Sequence, residues 1–398
     1  RGITESDWAS SRFENAHRVA MLCGDGAALR NHIETGLRFQ AAGRGVPGSR
    51  APYIDFALPL YLDAPPVGDA GAPVACYPLE GWVSASSAPP SDYAAQRDAV
   101  AMVFACRPRG GTGHSFRNEN AFDLHAFGET VAVGGGSTSN QSNFANDTMS
   151  HNTVLIEGRE QEAAKDANIR QCGRIIAFQQ GAGYAYWAGD ATAAYGSETG
   201  MGRFVRHVVF VDNAYFVVYD ELETAPGAKP ARFQWLYHVP KPDAMAFNRK
   251  RAELDYTIGD AHVLLRHLAD ADALEFSRYH AEEGMLNRYT GRDYRIASSD
   301  QLGEVERKRE YGQESADLPD EPDVEHLWFS TPPRKEAHFL AVIAPCRAGE
   351  VAPEIEPKNT SGVQVSFRGR VTTVSFDPST PADIVVDTRA LRRLSEGS

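Results

Sequence analysis

Five polar side chains stand close together in the stretch "GTGHSFRNENAFDLHAFGE", residues 111–129: His114, Arg117, Asn118, Glu119 and Asn120. A second pair, His151 and Asn152, opens the later stretch "HNTVLIEG". A histidine can carry a proton near neutral pH, an arginine forks onto both oxygens of a carboxylate, and an asparagine donates without adding charge. Gathered at strand ends, these residue types suit the binding and neutralising of a carboxylate. Each also has a plainer reading. His114 can be a loop histidine bonded to nearby backbone, and His151-Asn152 can cap a strand entry. His125, His207 and His238 lie inside strand-like text and read as packed or surface residues.

Other motifs are incomplete. "GGTGH" lacks the Gly-Lys-Ser/Thr ending of a phosphate loop and precedes a strand rather than a helix. Asp270 and Asp272 lack the glycine and terminal glutamate of a calcium loop. There is no Gly-x-Ser-x-Gly elbow. The five cysteines, Cys23, Cys76, Cys106, Cys172 and Cys346, are scattered and form no C-x-x-C pair. That excludes a zinc ribbon and points to single buried thiols.

The elements that must position the two polar groups are strands. From about Cys76 onward, short alternating or β-branched runs follow one another between Gly, Pro, Asp and Asn: "GWVSAS", "AVAMVFAC", "AFDLHAF", "NTVLIEG", "RHVVFVDNAYFVVYDEL", "FQWLYH" and others through "DIVVDT". Such a series indicates a large antiparallel sandwich. Two adjacent strands joined by the Gly-, Ser- and Asn-rich segment 134–147 are expected to bring His114 and His151 to one end of one sheet. Residues 12–40 carry apolar residues at helical spacing, broken at Gly24-Asp25-Gly26. Residues 42–75 are rich in Gly and Pro and read as connection, and the charged stretch 301–325 reads as an exposed loop with a short helix.

The totals narrow the partners. With 42% hydrophobic and 23% charged residues in 398, the chain buries an ordinary core. A net charge of −13 argues against nucleic acid, which needs a basic surface. No apolar run approaches the roughly 20 residues that cross a bilayer, so no membrane partner is expected.

Taken in order, "YPLEGWVSASS", "GTGHSFRNENAFDLHAFGE", "HNTVLIEGREQ", "AGDATAAY", "RHVVFVDNAYFVVYDEL" and "FQWLYH" resemble the heparinase II/III-like group of polysaccharide lyases, which includes oligoalginate lyases and heparin or heparan lyases. The similarity runs over residues 76–345, and "HNTV" is its most specific motif. The resemblance implies an N-terminal α/α toroid, a central antiparallel β-sandwich and a small C-terminal sheet region. On that pattern, residues 1–75 are the last helices of the toroid and a linker, 76–345 the sandwich, and 346–398 the C-terminal β region. The larger part of the toroid, which in the group supplies a catalytic tyrosine, is outside this sequence. It is trimmed, supplied by a further chain or segment, or lost.

The resemblance further implies β-elimination at a uronic acid, with an acidic polysaccharide or oligosaccharide as substrate. His114 and His151 fall on the group's catalytic-site histidines; Arg117, Asn120 and Asn152 fall in the same segments and are expected to hold the substrate. Many members carry a His-x-His pair here, whose second histidine binds a structural zinc together with an Asp after the strand and the "HNT" histidine. This chain has Phe116 and Gly134 at those two positions. A single imidazole does not hold zinc tightly, so no metal or other cofactor is expected. Substitution of the missing ligands by Glu119 or Asp147 is disfavoured; Phe116 instead fills the space with apolar packing. The rival reading is a non-catalytic carbohydrate-binding or structural sandwich that has lost the toroid.

Overall fold

The computed structural model describes residues 73–89, 93–108, 116–134, 148–162, 173–240, 242–279, 324–377 and 384–390. His114, the helical pattern at 12–40, the glycine-rich segment after Gly134 and nearly all of the charged stretch at 301–325 lie outside them. The chain divides into two compact units, Arg1–Ala75 with Ser86–Arg97, and Cys76–Ala85 with Asp98–Ser398. Nearly all described residues belong to the second.

The fold is mainly β and antiparallel, as expected. In chain order, β1 (Val74–Tyr77), β2 (Trp82–Ser86), β3 (Ala101–Ala105), β4 (Ala121–Ala126) and β5 (Glu129–Ala132) form a five-stranded meander. A short helix, α1 (Tyr93–Arg97), lies between β2 and β3. Then come β6 (Val154–Ile156), β7 (Arg174–Gly181), β8 (Tyr184–Asp190), β9 (Met201–Val211) and β10 (Tyr215–Thr224). These are followed by β11 (Phe233–Pro240), β12 (Ala244–Asn248), β13 (Glu253–Ile258), β14 (Ala261–His267), β15 (Glu275–Tyr279), β16 (Val324–Ser330) and β17 (Glu336–Arg347). The last four are β18 (Glu354–Asn359), β19 (Gly362–Phe367), β20 (Arg370–Phe376) and β21 (Ile384–Ala390).

The centre is an eight-stranded sheet in the order β12-β13-β14-β17-β10-β9-β8-β7. One face packs on the C-terminal sheet β18-β19-β20-β21, where Tyr186, Val209, Tyr219 and Val342 meet Val363, Val365 and Phe376. The other face meets the sheet β15-β16-β11-β6, for example through Trp235 and Phe329 against His267. Cover on both faces explains why β9, β10 and β17 read as continuous apolar text rather than alternating text.

The two-residue period of β9 sorts its polar pair. His207 faces the C-terminal sheet, within 5.8 Å of the Phe376 ring, while Arg206 faces the opposite layer beside Phe122 and Trp235. Both are buried.

One expectation is corrected. The "HNTV" strand, β6, pairs with β11 and not with β4 or β5. The two polar segments therefore lie on different sheets, and something other than strand pairing must join them.

Candidate functional site

The joint is a buried ion pair. Arg206 on β9 and Asp220 on β10 are register partners, and both side chains are 0% exposed. Arg206 Nε donates to Asp220 Oδ1 at 2.8 Å and Nη2 to Oδ2 at 2.7 Å, the fork geometry that strengthens an arginine–carboxylate pair. Its remaining nitrogen, Nη1, donates to the carbonyls of Asn120 (2.6 Å) and Asn152 (2.8 Å). One guanidinium thus clasps the end of "FRNEN" to the start of "HNTV". Phe122, Phe204 and Trp235 surround it, with ring centroids 5.5–5.7 Å away.

The asparagines are part of this frame. Asn152 is 0% exposed; its Nδ2 donates to the carbonyls of Phe122 (2.8 Å) and Val133 (3.3 Å), and its Oδ1 accepts the backbone N–H of His238 at 2.8 Å. Asn120 is also 0% exposed, takes a left-handed φ of 59°, and donates from Nδ2 to the Gly189 carbonyl at 2.9 Å. Both side chains expected to hold substrate are thus buried in the frame, where their amides donate to backbone carbonyls on or beside β4, β5 and β8.

Glu119 is likewise structural. Its carboxylate accepts from Arg107 Nη2 at 3.0 Å and from the Arg107 backbone N–H. Its own N–H donates to Gln161 Oε1 at 2.8 Å. Burial raises the pKa of Glu119, and the Arg107 charge opposes that rise. Arg117, by contrast, keeps a quarter of its side chain exposed, with Nη1 3.3 Å from Glu160. Among the candidate site residues that are described, it alone presents a partly open polar group.

His151 is 3% exposed and lies against Phe116, with ring centroids 5.4 Å apart and an interplanar angle of 39°. On its other side is Gly134. A β-carbon there would sit 2.7 Å from His151 Nδ1 and 3.1 Å from Asp123 Oδ1. Asp123, which sequence reasoning passed over, has its carboxyl pushed up to about 6 by burial, against a hydrogen bond from the Gly134 backbone.

Behind His151, His238 has both ring nitrogens against acceptors: Nδ1 is 3.0 Å from Asn152 Oδ1 and Nε2 is 2.9 Å from the Met149 carbonyl. Burial, with His326 and His151 nearby, pushes its pKa well down. A neutral imidazole has a single N–H, so only one of these contacts can be a hydrogen bond at a time. His125, on β4, is exposed, with Nδ1 3.2 Å from Thr130 Oγ1. Cys106 and Cys346 are buried free thiols and Cys76 is half-buried; Cys23 and Cys172 lie outside the described residues.

The remaining motif segments converge on the same frame. The Tyr195 hydroxyl of "GDATAAY" donates to the Val154 carbonyl of β6, and "FQWLYH" is β11, the strand paired to β6. The family model of the heparinase II/III-like C-terminal domain matches residues 83–315, more than half of the chain. The chain belongs to the heparinase II/III-like family. Its fold is similar to heparan sulfate lyase HepC from Pedobacter heparinus, at a TM-score of 0.58 and 14% identity, over 98% of this chain and 49% of that one. It is also similar to a heparinase III gene product, with a TM-score of 0.53, 15% identity, and 85% of this chain over 46% of that one. A third structure, described as heparinase III, gives a TM-score of 0.51 at 12% identity, over 85% and 47%. This heparinase II/III-like chain thus spans about half the length of the solved structures it matches. No curated protein sequence matches it.

The zinc that the family resemblance implies can be tested against these side chains. Positions 116, 134 and 151 do converge, but the first offers a phenyl ring and the second no side chain. Among the described residues, no group of three His, Cys, Asp or Glu side chains is placed to hold a metal. Glu119 is engaged by Arg107, and Asp147 lies outside the described residues. His151 and Asp123 by themselves do not make a zinc site.

Proposed function

We propose that the native protein is a polysaccharide lyase that cleaves a uronic-acid-containing glycan by β-elimination. One observation carries the reading: the family match includes both polar segments, and Arg206 clasps them into a single locus. The similar folds are described as a heparan sulfate lyase and heparinase III, which supports a glycosaminoglycan as the substrate class. Alginate oligosaccharide is the other uronate chain that fits the chemistry.

Removing the weakly acidic C5 proton of a uronate requires its carboxylate to be neutralised first. Arg117 is the group for that task. Its guanidinium meets the buried Glu160 at 3.3 Å while a quarter of the side chain stays exposed, so the open side can meet a substrate carboxylate without breaking that pair. His114 stands three residues before Arg117 and is assigned proton transfer at the reacting sugar, as base at C5 or as acid at the departing O4. The buried ring of His151 serves as a wall that fixes this segment. No step passes through a metal, and the tyrosine that completes the family's machinery belongs to the toroid.

The test is to incubate the full native chain with alginate, heparan sulfate, chondroitin sulfate and hyaluronan, and to follow the absorbance of the unsaturated uronate. A rise on at least one supports the reading. Measurable glycan binding with no rise on any substrate rejects it. That outcome favours the carbohydrate-binding alternative, to which the loss of donors at Phe116 and Gly134 already lends some weight.

A further inference from the structure

The β12–β13 hairpin carries the turn "NRKR" at its tip, an unusual concentration of positive charge on a chain of net −13. Arg249, Lys250 and Arg251 are all exposed. Beside them is a cavity of about 430 Å³, walled by Lys250, Arg251 and Arg266 and by the apolar residues Leu268, Ala271 and Pro357. Arg251 and Arg266 converge on a single carboxylate, Glu253, at 3.2 and 3.9 Å. Arg266 is only 16% exposed, and its Nε has no hydrogen-bond partner among the described residues. Burial and the neighbouring Arg251 disfavour its charge, and Glu253 and Glu356 oppose them only in part. Lys250 has no carboxylate partner among the described residues.

Lys250, Arg251 and Arg266 thus stand against two carboxylates, Glu253 and Glu356, and leave positive charge that an anion would compensate. The other acids at the cavity do not supply it fully: Asp270 is drawn to Arg334, and Asp272 stands on the exposed turn after β14. An exposed carboxylate beside cations and small apolar walls suits a sugar better than a bare ion, because it can accept hydroxyl donors while the cations take an acidic group. We propose that this cavity is an accessory binding site for an acidic sugar unit, a pyranose bearing a carboxylate or a sulfate. It is built from the turn between β12 and β13, from β14 and the turn after it, and from β18, none of which carries the candidate reaction site. Its role is to hold a chain of acidic glycan on the protein, whether or not that chain is cleaved.

The test is binding to the full native chain, measured by calorimetry with size-defined alginate and heparan sulfate oligosaccharides and with neutral dextran of similar length. The two acidic probes distinguish carboxylate from sulfate as the recognised group. A Lys250→Glu/Arg251→Glu variant is expected to weaken binding of the acidic probe at least tenfold, with its thermal midpoint preserved because both residues are exposed. Arg117→Ala is expected to leave the affinity at this cavity unchanged while impairing any uronate cleavage, which separates failure here from failure of the lyase reading. Unchanged affinity in the double variant would overturn the proposal. So would equal binding of dextran, or no binding of either acidic probe.

Discussion

Phe116 and His151 lie ring against ring, their centroids 5.4 Å apart, beside Gly134, where any side chain would have to displace the His151 ring. This geometry makes a prediction about metal. Protein purified after growth with added zinc should contain far less than one equivalent bound at this site, by elemental analysis. The variant Phe116→His/Gly134→Asp should gain close to one, since Gly134 is outside the left-handed region and accepts a side chain once the His151 ring shifts. Stoichiometric zinc in the wild type, or none gained by the variant, would contradict the reading of these positions.

The Arg206–Asp220 pair predicts a large stability effect far from the surface. Removing one partner of a buried ion pair leaves an uncompensated charge, typically at about 3–5 kcal/mol. Asp220→Ala should fall in that range by urea unfolding, and Arg206→Met should also release the Asn120 and Asn152 carbonyls. A loss below about 1 kcal/mol for both would show that the clasp does not hold the two segments together.

Asn152 is expected to behave as framework rather than as a substrate contact. Asn152→Ala leaves the buried N–H of His238 and the carbonyl of Phe122 without partners. Each unsatisfied group costs about 1–3 kcal/mol, so the variant should be destabilised by roughly 2–6 kcal/mol. A variant of normal stability whose only defect is a raised KM would restore Asn152 to the substrate site.

Asp123 gives a pH-dependent prediction. Its folded-state pKa is raised from 3.8 to about 6, so the folded state binds the proton more tightly than the unfolded state. The stability it contributes is fully present below about pH 4 and is lost as pH rises through about 6. Asp123→Asn should therefore be more stable than wild type at pH 8, by roughly 1–3 kcal/mol after allowing for partial exposure, with the gap closing toward pH 4. An equal gap at both pH values would exclude this origin.

Much of the architecture is legible in the sequence because strand text has a strong local signal. Runs such as "RHVVFVDNAYFVVYDEL" become β9, a turn through Asp212 and Asn213 with φ near +50°, and β10. Strands β12 and β13 escape notice: "AMAFN" is short and part-exposed along its length, and "ELDYTI" buries only Leu254 and Tyr256 between polar residues. At the site, the facing of Phe116 and Gly134 toward His151 follows from motif positions. The roles of Asn120 and Asn152 do not, because an asparagine that binds a ligand and one that caps buried backbone look alike in sequence. The signal that was present and unused is Arg206. A charged residue inside an apolar strand must have a partner, and Asp220 stands in the matching place on the next strand.

The most direct measurement is turnover of the full native chain and its His114→Ala variant on the best of the four uronate glycans, followed by the absorbance of the unsaturated product. The account predicts activity in the wild type and loss of most of it in the variant, with the thermal midpoint unchanged. No product from any of the four glycans, or a variant with undiminished turnover, would contradict it.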